Sequence, residues 1–238
     1  MKIHQVEQQG EDWFKLRELK LTSSKATAIG NNGKGLETLV TTLVAEHLSS
    51  GDRKHFNNIH TDRGNELEET ARQIYELETG NKVETVGFIE INEHVGCSPD
   101  GLIGADGLTE FKCPDDVKFY KILMNGEKEI DSDYLWQTQY QLLTTQRKFA
   151  DLCFYNPNYT KSLAIFRILP DPEKQEALKK GIEIGTRLIK EQLEKFRALP
   201  SETSPIIIGE EPKEEIVKVF EGTKAVGAIS IPKTIKKK

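Results

Sequence analysis

The sequence predicts a fold of mixed helices and strands, in the α/β or α+β class, with a central mixed β-sheet flanked by helices. Residues 149–155 and 162–169 are apolar, β-rich runs separated by Asn-Pro-Asn, which is typical of two paired strands. Residues 64–79 repeat apolar side chains at three- and four-residue steps and are followed by a glycine, which predicts a helix with a glycine C-cap. A Pro-Asp-Pro sequence at 170–172 then starts a long helical pattern that continues to about Leu199.

The other elements follow from the same spacing and turn patterns. Trp13, Leu16 and Arg17 share one face at helical spacing near the start of the chain. The hydroxyl side chains at 22–24 are expected to cap the next helix, with Ser24 as an N-cap residue. The remaining predictions are a helix at 36–50 that ends at Gly51, a loop at 52–62, strands at 83–91 and 109–113, and a helix at 134–145.

The size and composition fit one compact domain. The chain has 238 residues, of which 37% are hydrophobic and 30% charged, so it can bury a core but carries too much charge for a membrane protein. After Pro200 the composition shifts towards proline and glutamate, and the last residues are basic. We therefore expect a single domain at 1–199 and a C-terminal extension of unassigned role at 200–238, either a short β-rich appendage or a mobile arm.

The composition also excludes several classes of protein. No run approaches the roughly 20 apolar residues of a membrane span, and the N-terminus lacks the apolar stretch of a secretory signal. The three widely spaced cysteines suggest a reducing compartment, and alone they cannot form a four-cysteine zinc or iron–sulfur site. The net charge of −5 rules out a uniformly basic surface for nucleic acid but leaves a local basic groove open. We expect a cytoplasmic protein with no membrane partner.

Residues 98–114 contain the pattern with the most chemical content. Asp100 stands ten residues before Glu110, and Lys112 stands two residues after it. On a strand, Glu110 and Lys112 point to the same face, because side chains alternate with period two. A hairpin before that strand would fold Asp100 back beside Glu110, so that two carboxylates and one amine converge.

Such a cluster is typical of a phosphodiester hydrolase. Two close carboxylates repel each other, and a hard divalent cation such as Mg²⁺ relieves that repulsion. The cation polarises a phosphate, and a neighbouring lysine orients the water or stabilises the developing charge. The carbonyl of Phe111 lies between the two side chains in sequence and is expected to reach the metal where the strand ladder leaves it unpaired. A structural explanation of the same residues is also open. Glu110 and Lys112 alone would fit an exposed ion pair on a strand, and Asp100 with Gly101 would fit an ordinary turn.

Five blocks, in the same order along the chain, resemble those of the phage lambda exonuclease group, the YqaJ-type viral recombinases of the PD-(D/E)xK nuclease superfamily. They are WFKLR with Thr-Ser-Ser at 13–24, RGNELEETA at 63–71, CSPDGL at 97–102, LTEFKCP at 108–114 and YLWQTQY at 134–140. The similarity extends to Tyr-Asn-Pro at 155–157. The resemblance implies a restriction-endonuclease-like PD-(D/E)xK core.

The resemblance also implies a role for each matching residue. Asp100 and Glu110 would be metal ligands, with the Phe111 carbonyl as a third. Lys112 would position the attacking water, and Glu68 would complete the acidic cluster directly or through water. The implied ligands of a phosphate, the terminal 5′-phosphate of a DNA end, are Arg17, Ser24, Ser98 and Gln137.

The helix that carries Gln137 has a second glutamine, Gln139, that is an alternative to it. Gln137 and Gln139 lie two residues apart, so only one of them can face the site. The order of the blocks favours Gln137.

By resemblance, the protein would be a Mg²⁺-dependent exonuclease that degrades the 5′-ended strand of double-stranded DNA and leaves a 3′ overhang for recombination. Mn²⁺ would substitute for Mg²⁺. The protein would form a ring-shaped homotrimer around DNA, work with a single-strand annealing protein, and act in a bacterial host as a phage or prophage product.

Three alternatives remain open from the sequence. An endonuclease on the same core would cut circular DNA. A non-catalytic module would bind DNA ends or a protein without releasing nucleotides. An iron–sulfur nuclease is disfavoured by the three dispersed cysteines.

Overall fold

The structure is a computed structural model that describes residues 1–49, 59–200, 215–221 and 224–231, with side chains at 1–49 and 67–200. The chain divides into two compact units, Met1–Arg197 and Ala198–Lys238. Three features predicted from the sequence lie outside the described residues, namely the helix end at Gly51, most of the loop at 52–62 and the basic C-terminus.

The first unit contains seven α-helices and nine strands among its described residues. The helices are α1 (Glu11–Leu16), α2 (Ala26–Asn31), α3 (Lys34–Leu48), α4 (Ile59–Thr79), α5 (Asp116–Asn125), α6 (Ser132–Thr145) and α7 (Pro172–Arg197). The strands are β1 (Lys2–His4), β2 (Leu21–Thr22), β3 (Val83–Glu84), β4 (Phe88–Asn92), β5 (Val95–Cys97), β6 (Gly101–Ile103), β7 (Gly107–Lys112), β8 (Phe149–Tyr155) and β9 (Leu163–Ile168). A mixed fold with sheets flanked by helices is therefore confirmed.

These strands form two sheets. The five-stranded sheet has the order β3-β6-β7-β8-β9, in which β7 and β8 are parallel and the other neighbours are antiparallel. The four-stranded sheet has the order β1-β4-β5-β2, with β2 and β5 parallel. The predicted pairing of residues 149–155 with 162–169 is confirmed as the antiparallel pair β8–β9.

Helices cover both faces of the five-stranded sheet. On one face, Ala71 and Tyr75 of α4 pack with Phe111 of β7. On the other face, Phe119 of α5 packs with Phe154 of β8. Because β8 is buried on both faces, its sequence is an almost continuous apolar run interrupted by Asp151. The central strand β7 is equally buried but carries the polar residues Thr109 and Glu110.

The predicted strand at 83–91 is wrong as one element. It divides into β3 and β4, which belong to different sheets. The chain bends at Gly87, where a Cβ atom would lie 2.1 Å from the carbonyl oxygen of Val6. The apolar pattern of the segment could not show that the N-terminal segment crosses it here, because this contact is distant in sequence.

The capping role predicted for Ser24 is also wrong. Residues Ser23–Lys25 form a short 3₁₀ turn, and neither this turn nor α2 receives a side-chain cap. The Ser24 hydroxyl accepts a hydrogen bond from Arg17 instead. Ser24 lies inside the 3₁₀ turn, and the N-cap positions of the turn and of α2 are Thr22 and Lys25, so its hydroxyl is not placed to cap either element.

The long helix α7 is confirmed, and its start is fixed by Asp171. The Asp171 Oδ1 accepts hydrogen bonds from the N–H groups of Glu173 and Lys174 at 3.0 and 3.1 Å. Further along, a Cβ on Gly181 would lie 1.9 Å from the carbonyl oxygen of Ile29, so α7 lies directly against α2. Among the described residues, no helix is both long and apolar enough to span a bilayer.

The second unit contains an antiparallel hairpin of β10 (Glu215–Glu221) and β11 (Lys224–Ile231). Its register shifts once, between Val219 and Phe220.

Candidate active site

Two acids and one amine converge at the end of β7. Glu110 and Lys112 project from the same face of this strand, and the Lys112 Nζ donates a hydrogen bond to Glu110 Oε1 at 2.7 Å. Asp100 stands directly before β6, and its Oδ2 accepts a hydrogen bond from the Phe111 N–H at 2.6 Å. The structure thus brings together the three residues that the sequence singled out, and their catalytic roles remain a prediction.

The strand ladder between β6 and β7 ends beside this cluster. Its last pair is Gly101 with Thr109, and the same register would set Phe111 opposite Pro99. Proline has no N–H to donate, so the Phe111 carbonyl gains no ladder partner from that residue. In an antiparallel pair the N–H and C=O of one residue face the same neighbour. Since the Phe111 N–H faces Asp100, its carbonyl points to the same edge.

Helix α6 supplies two amides to the buried Glu110. The Gln137 Nε2 donates to Glu110 Oε1 at 2.5 Å, and the Gln141 Nε2 donates to Glu110 Oε2 at 2.7 Å. The two glutamines are four residues apart and therefore lie on one face of the helix. Gln139 lies on another face, where its Nε2 donates to the Leu169 carbonyl at 2.7 Å. Gln137 is therefore the one that faces the site, although it contacts a carboxylate and not the predicted phosphate ligands.

The electrostatics of the site show an excess of negative charge. The pKa of Glu68 on α4 is raised to about 7, mainly by burial. The negative charge of Glu110 also raises this pKa, and its effect is larger than the opposite effect of Lys112. Burial also raises the pKa of Asp100 well above its ordinary value, with Glu110 and Glu68 adding to the effect. Burial would lower the pKa of Lys112, but Glu110 and Asp100 outweigh it and the pKa lies above its ordinary value. All three shifts indicate carboxylates that a further cation would stabilise.

Arg17 and three hydroxyl groups form a second polar cluster. The Arg17 Nη2 donates to Thr22 Oγ1 and Ser24 Oγ, both at 3.3 Å, and the guanidinium carbon lies 4.0 Å from the centroid of the Trp13 ring. The Trp13 Nε1 donates to Ser98 Oγ at 2.9 Å. Three of the four predicted phosphate ligands are therefore organised around one indole ring.

The charge of this cluster favours an anion. Burial lowers the pKa of Arg17 to about 10, which still leaves the guanidinium protonated at neutral pH. Among the side chains described, no aspartate or glutamate forms an ion pair with Arg17. A mostly buried cation with hydroxyl neighbours is suited to phosphate oxygens.

Comparison with known proteins identifies the family. The model of the YqaJ-like viral recombinase domain matches residues 12–148. The chain belongs to this family. The predicted family is thereby confirmed, and no curated protein sequence matches the chain.

Solved structures agree with this membership. An alkaline exonuclease (LHK-Exo) from Laribacter hongkongensis is 26% identical, with a TM-score of 0.71 over 79% of this chain and 96% of that chain. The same exonuclease in complex with dAMP gives 26% identity and a TM-score of 0.70 over the same shares. A phage-related exonuclease from Haemophilus somnus 129PT, 16% identical, shares the fold with a TM-score of 0.59 over 76% of this chain and 98% of that chain. The PD-(D/E)xK-type fold is confirmed, and family and fold together support a phage-type exonuclease.

The donor set of this YqaJ-family site fits a hard divalent cation that keeps part of its water shell. Among the residues whose side chains are described, no three histidine, cysteine or acidic groups form a closed metal cage. Mg²⁺ does not require such a cage, because it is usually held by one or two carboxylates, waters and substrate phosphates. Asp100 and Glu110 could supply two carboxylates and Phe111 a carbonyl oxygen. The raised pKa values of Asp100 and Glu68 indicate that a positive charge would stabilise their ionised forms.

An open polar cleft of about 370 Å³ lies beside the acids of the recombinase site. Glu68 and Asp100 line it, together with residues 5–9 and 85–87. The N-terminal segment is held in place by Gln8, whose Nε2 donates to the Val86 carbonyl at 2.9 Å and to the Pro99 carbonyl at 3.3 Å. Glu68 and Asp100 are therefore accessible from this cleft, whereas the buried Glu110 does not line it.

Three residues that contribute to the site are not among those predicted from the sequence. Gln141 donates to Glu110, and the Tyr134 ring centroid lies 5.1 Å from the Lys112 Nζ. Trp13 contacts both Arg17 and Ser98 and so links these two residues. The spacing of four residues from Gln137 was a signal for Gln141. Trp13 gave no comparable signal, because large aromatic side chains usually pack in the core.

Proposed function

We propose that the protein is a divalent-metal-dependent exonuclease that digests the 5′-ended strand of duplex DNA from its ends and leaves a 3′ single strand. The observation that carries this proposal is the convergence of Asp100, Glu110 and Lys112 where the β6–β7 ladder ends. An exposed ion pair would not explain this arrangement, because Glu110 is only 2% exposed and receives three donors.

In this proposal Asp100, Glu110 and the Phe111 carbonyl would hold one Mg²⁺ ion, for which Mn²⁺ would substitute, and Glu68 would contact it directly or through water. A bound ion would polarise the scissile phosphate and lower the pKa of water at the site. Lys112 orients the attacking water and stabilises the negative charge that develops on the phosphate. The Gln137 amide donates a hydrogen bond to Glu110 and therefore lies beside the proposed metal site.

The cluster around Arg17 supports action on ends. A guanidinium with the hydroxyl groups of Ser24 and Ser98 offers donors for a terminal 5′-phosphate. LHK-Exo, which is 26% identical to this chain, has been solved in complex with dAMP. A nucleotide with one phosphate is a product that an exonuclease of this kind would release.

Family resemblance supports the wider setting. We propose a ring-shaped homotrimer through which the duplex passes, a single-strand annealing protein as the partner, and the cytoplasm of a bacterial host as the place of action. The segment 200–238 has no assigned role in this setting.

The proposal is tested with end-labelled linear duplex DNA and a covalently closed circular duplex, each with Mg²⁺ and with a chelator. We expect nucleotides to be released from the linear duplex only when Mg²⁺ is present, and the circle to stay intact. Nicking of the circle would support an endonuclease on the same core. Binding of linear DNA without release of nucleotides would support a non-catalytic end-binding module.

A further inference from the structure

We propose that Gln141 is a positioning residue that fixes the orientation of the Glu110 carboxylate for metal binding. The inference deepens the proposed function and rests on it. Gln141 is completely buried on α6, four residues after Gln137 and on the same face of the helix.

The hydrogen bonds around Glu110 are divided unequally between its two oxygens. Lys112 and Gln137 both donate to Oε1, at 2.7 and 2.5 Å. The donor to Oε2 is Gln141, at 2.7 Å. The terminal torsion of a glutamate has a broad energy minimum, so donors on a single oxygen leave the carboxylate free to rotate. A donor on the second oxygen is what fixes its plane.

Packing alone does not explain an amide at position 141. The Gln141 Oε1 is buried, and it has no hydrogen-bond partner in the part of the chain whose side chains are described. An unsatisfied buried acceptor carries a free-energy cost that an apolar side chain of similar size would avoid. Turning the amide over would not help, because its oxygen would then face the oxygen of Glu110. The amide is therefore retained for the hydrogen bond that its nitrogen donates.

Gln139 shows what a structural glutamine on the same helix looks like. It is 2% exposed, its Nε2 donates to the Leu169 carbonyl at 2.7 Å, and its Oε1 accepts from the Asp171 N–H at 2.9 Å. Both ends of this amide are satisfied, and both contacts hold the segment before α7. Gln139 is thus a matched control for Gln141, with the same residue type, helix and burial but no contact with Glu110.

The test compares the full-length wild-type protein with Gln141→Met and Gln139→Met. Mn²⁺ binding is measured from the electron paramagnetic resonance signal of the free ion, and thermal unfolding is measured without metal. We expect Gln141→Met to weaken Mn²⁺ binding about 10-fold or more, the effect usual for a residue that orients a metal ligand. Its unfolding midpoint should fall less than that of Gln139→Met, because the lost hydrogen bond to Glu110 is partly offset by removal of the unsatisfied Gln141 oxygen. Gln139→Met should lower the midpoint and leave Mn²⁺ binding unchanged.

Unchanged Mn²⁺ affinity in Gln141→Met would overturn the inference, whatever happens to its midpoint. Gln141→Leu provides a second apolar variant if the methionine variant does not fold. Failure of both to fold would show a structural role and would overturn the inference as well.

Cleavage of linear duplex DNA by the wild type separates this inference from the proposed function. A wild type that binds Mn²⁺ but releases no nucleotides contradicts the nuclease function, while the affinities of the variants still decide the role of Gln141. A wild type that binds no Mn²⁺ contradicts both.

Discussion

At the scale of single residues, the Glu110 carboxylate is the best-supported group in the site. Lys112 and two amides of α6 donate to it, and Asp100 is held nearby through the Phe111 N–H. The convergence of Asp100, Glu110 and Lys112 can be predicted from the sequence. Strand alternation puts Glu110 and Lys112 on one face, and a hairpin brings Asp100 beside them. The amide donors are less visible, since they come from a helix whose orientation depends on tertiary packing.

Lys112 is the residue whose removal tests the chemistry most simply. We expect Lys112→Ala to lower the rate of nucleotide release by about 100- to 1,000-fold, because it removes a positive charge that stabilises the developing charge on the phosphate. Lys148→Ala is a suitable control, since Lys148 is paired with Asp106 on the surface at 3.0 Å and its side chain is 74% exposed. A Lys112→Ala protein with the wild-type rate would refute the assigned role.

Arg17 tests the recognition of DNA ends. Arg17→Ala should slow cleavage of 5′-phosphorylated ends by about 10- to 100-fold, which corresponds to the free energy of one hydrogen bond to a charged group. Cleavage of 5′-hydroxyl ends should be affected much less. The measurement is the ratio of initial rates on the two linear duplexes. An equal loss on both kinds of end would show that the cluster around Trp13 does not bind the terminal phosphate.

At the scale of elements, helix α4 holds Glu68 close to β7 and so creates a dependence on pH. The Glu68 pKa rises from 4.5 to about 7 in the folded protein, mainly because of burial. The folded state then binds more protons than the unfolded state between these values. In the metal-free protein, the stability that protonated Glu68 contributes is complete below about pH 4.5 and is lost as the pH rises through about 7.

We therefore expect the free energy of unfolding of the metal-free protein to fall between about pH 4.5 and 7, and Glu68→Gln to reduce this fall. Denaturant unfolding at a series of pH values, with a chelator present, measures both. Glu78→Gln is the control, because Glu78 is exposed on the same helix and does not contribute to the pKa of Glu68. The same pH dependence in the wild type and Glu68→Gln would contradict the placement of Glu68.

The elements also show where sequence-based prediction works and where it fails. Helix α7 and the β8–β9 pair were predicted because their periodicity and turn residues act locally. The division of residues 83–91 into two strands depends on the crossing of Val6 over Gly87, which local patterns do not contain. Helix α5 was missed although Asp115 caps it through the Lys118 N–H at 2.8 Å, since its exposed apolar residues obscure its amphipathic pattern.

At the scale of the whole molecule, every residue assigned to the site lies in the unit Met1–Arg197. We expect a protein that ends at Pro200 to retain metal-dependent release of nucleotides from linear duplex DNA, measured per active site. A truncated protein that is folded by circular dichroism but inactive would show that segment 201–238 takes part in catalysis.

The central claim is that Asp100, Glu110 and the Phe111 carbonyl meet around one divalent ion. Anomalous scattering from crystals of the wild-type protein grown with Mn²⁺ tests it most directly. We expect a peak in contact with both carboxylates and the Phe111 carbonyl, and we expect this peak to be lost in Asp100→Asn. No peak between these groups, or a peak bound only elsewhere on the protein, would contradict it.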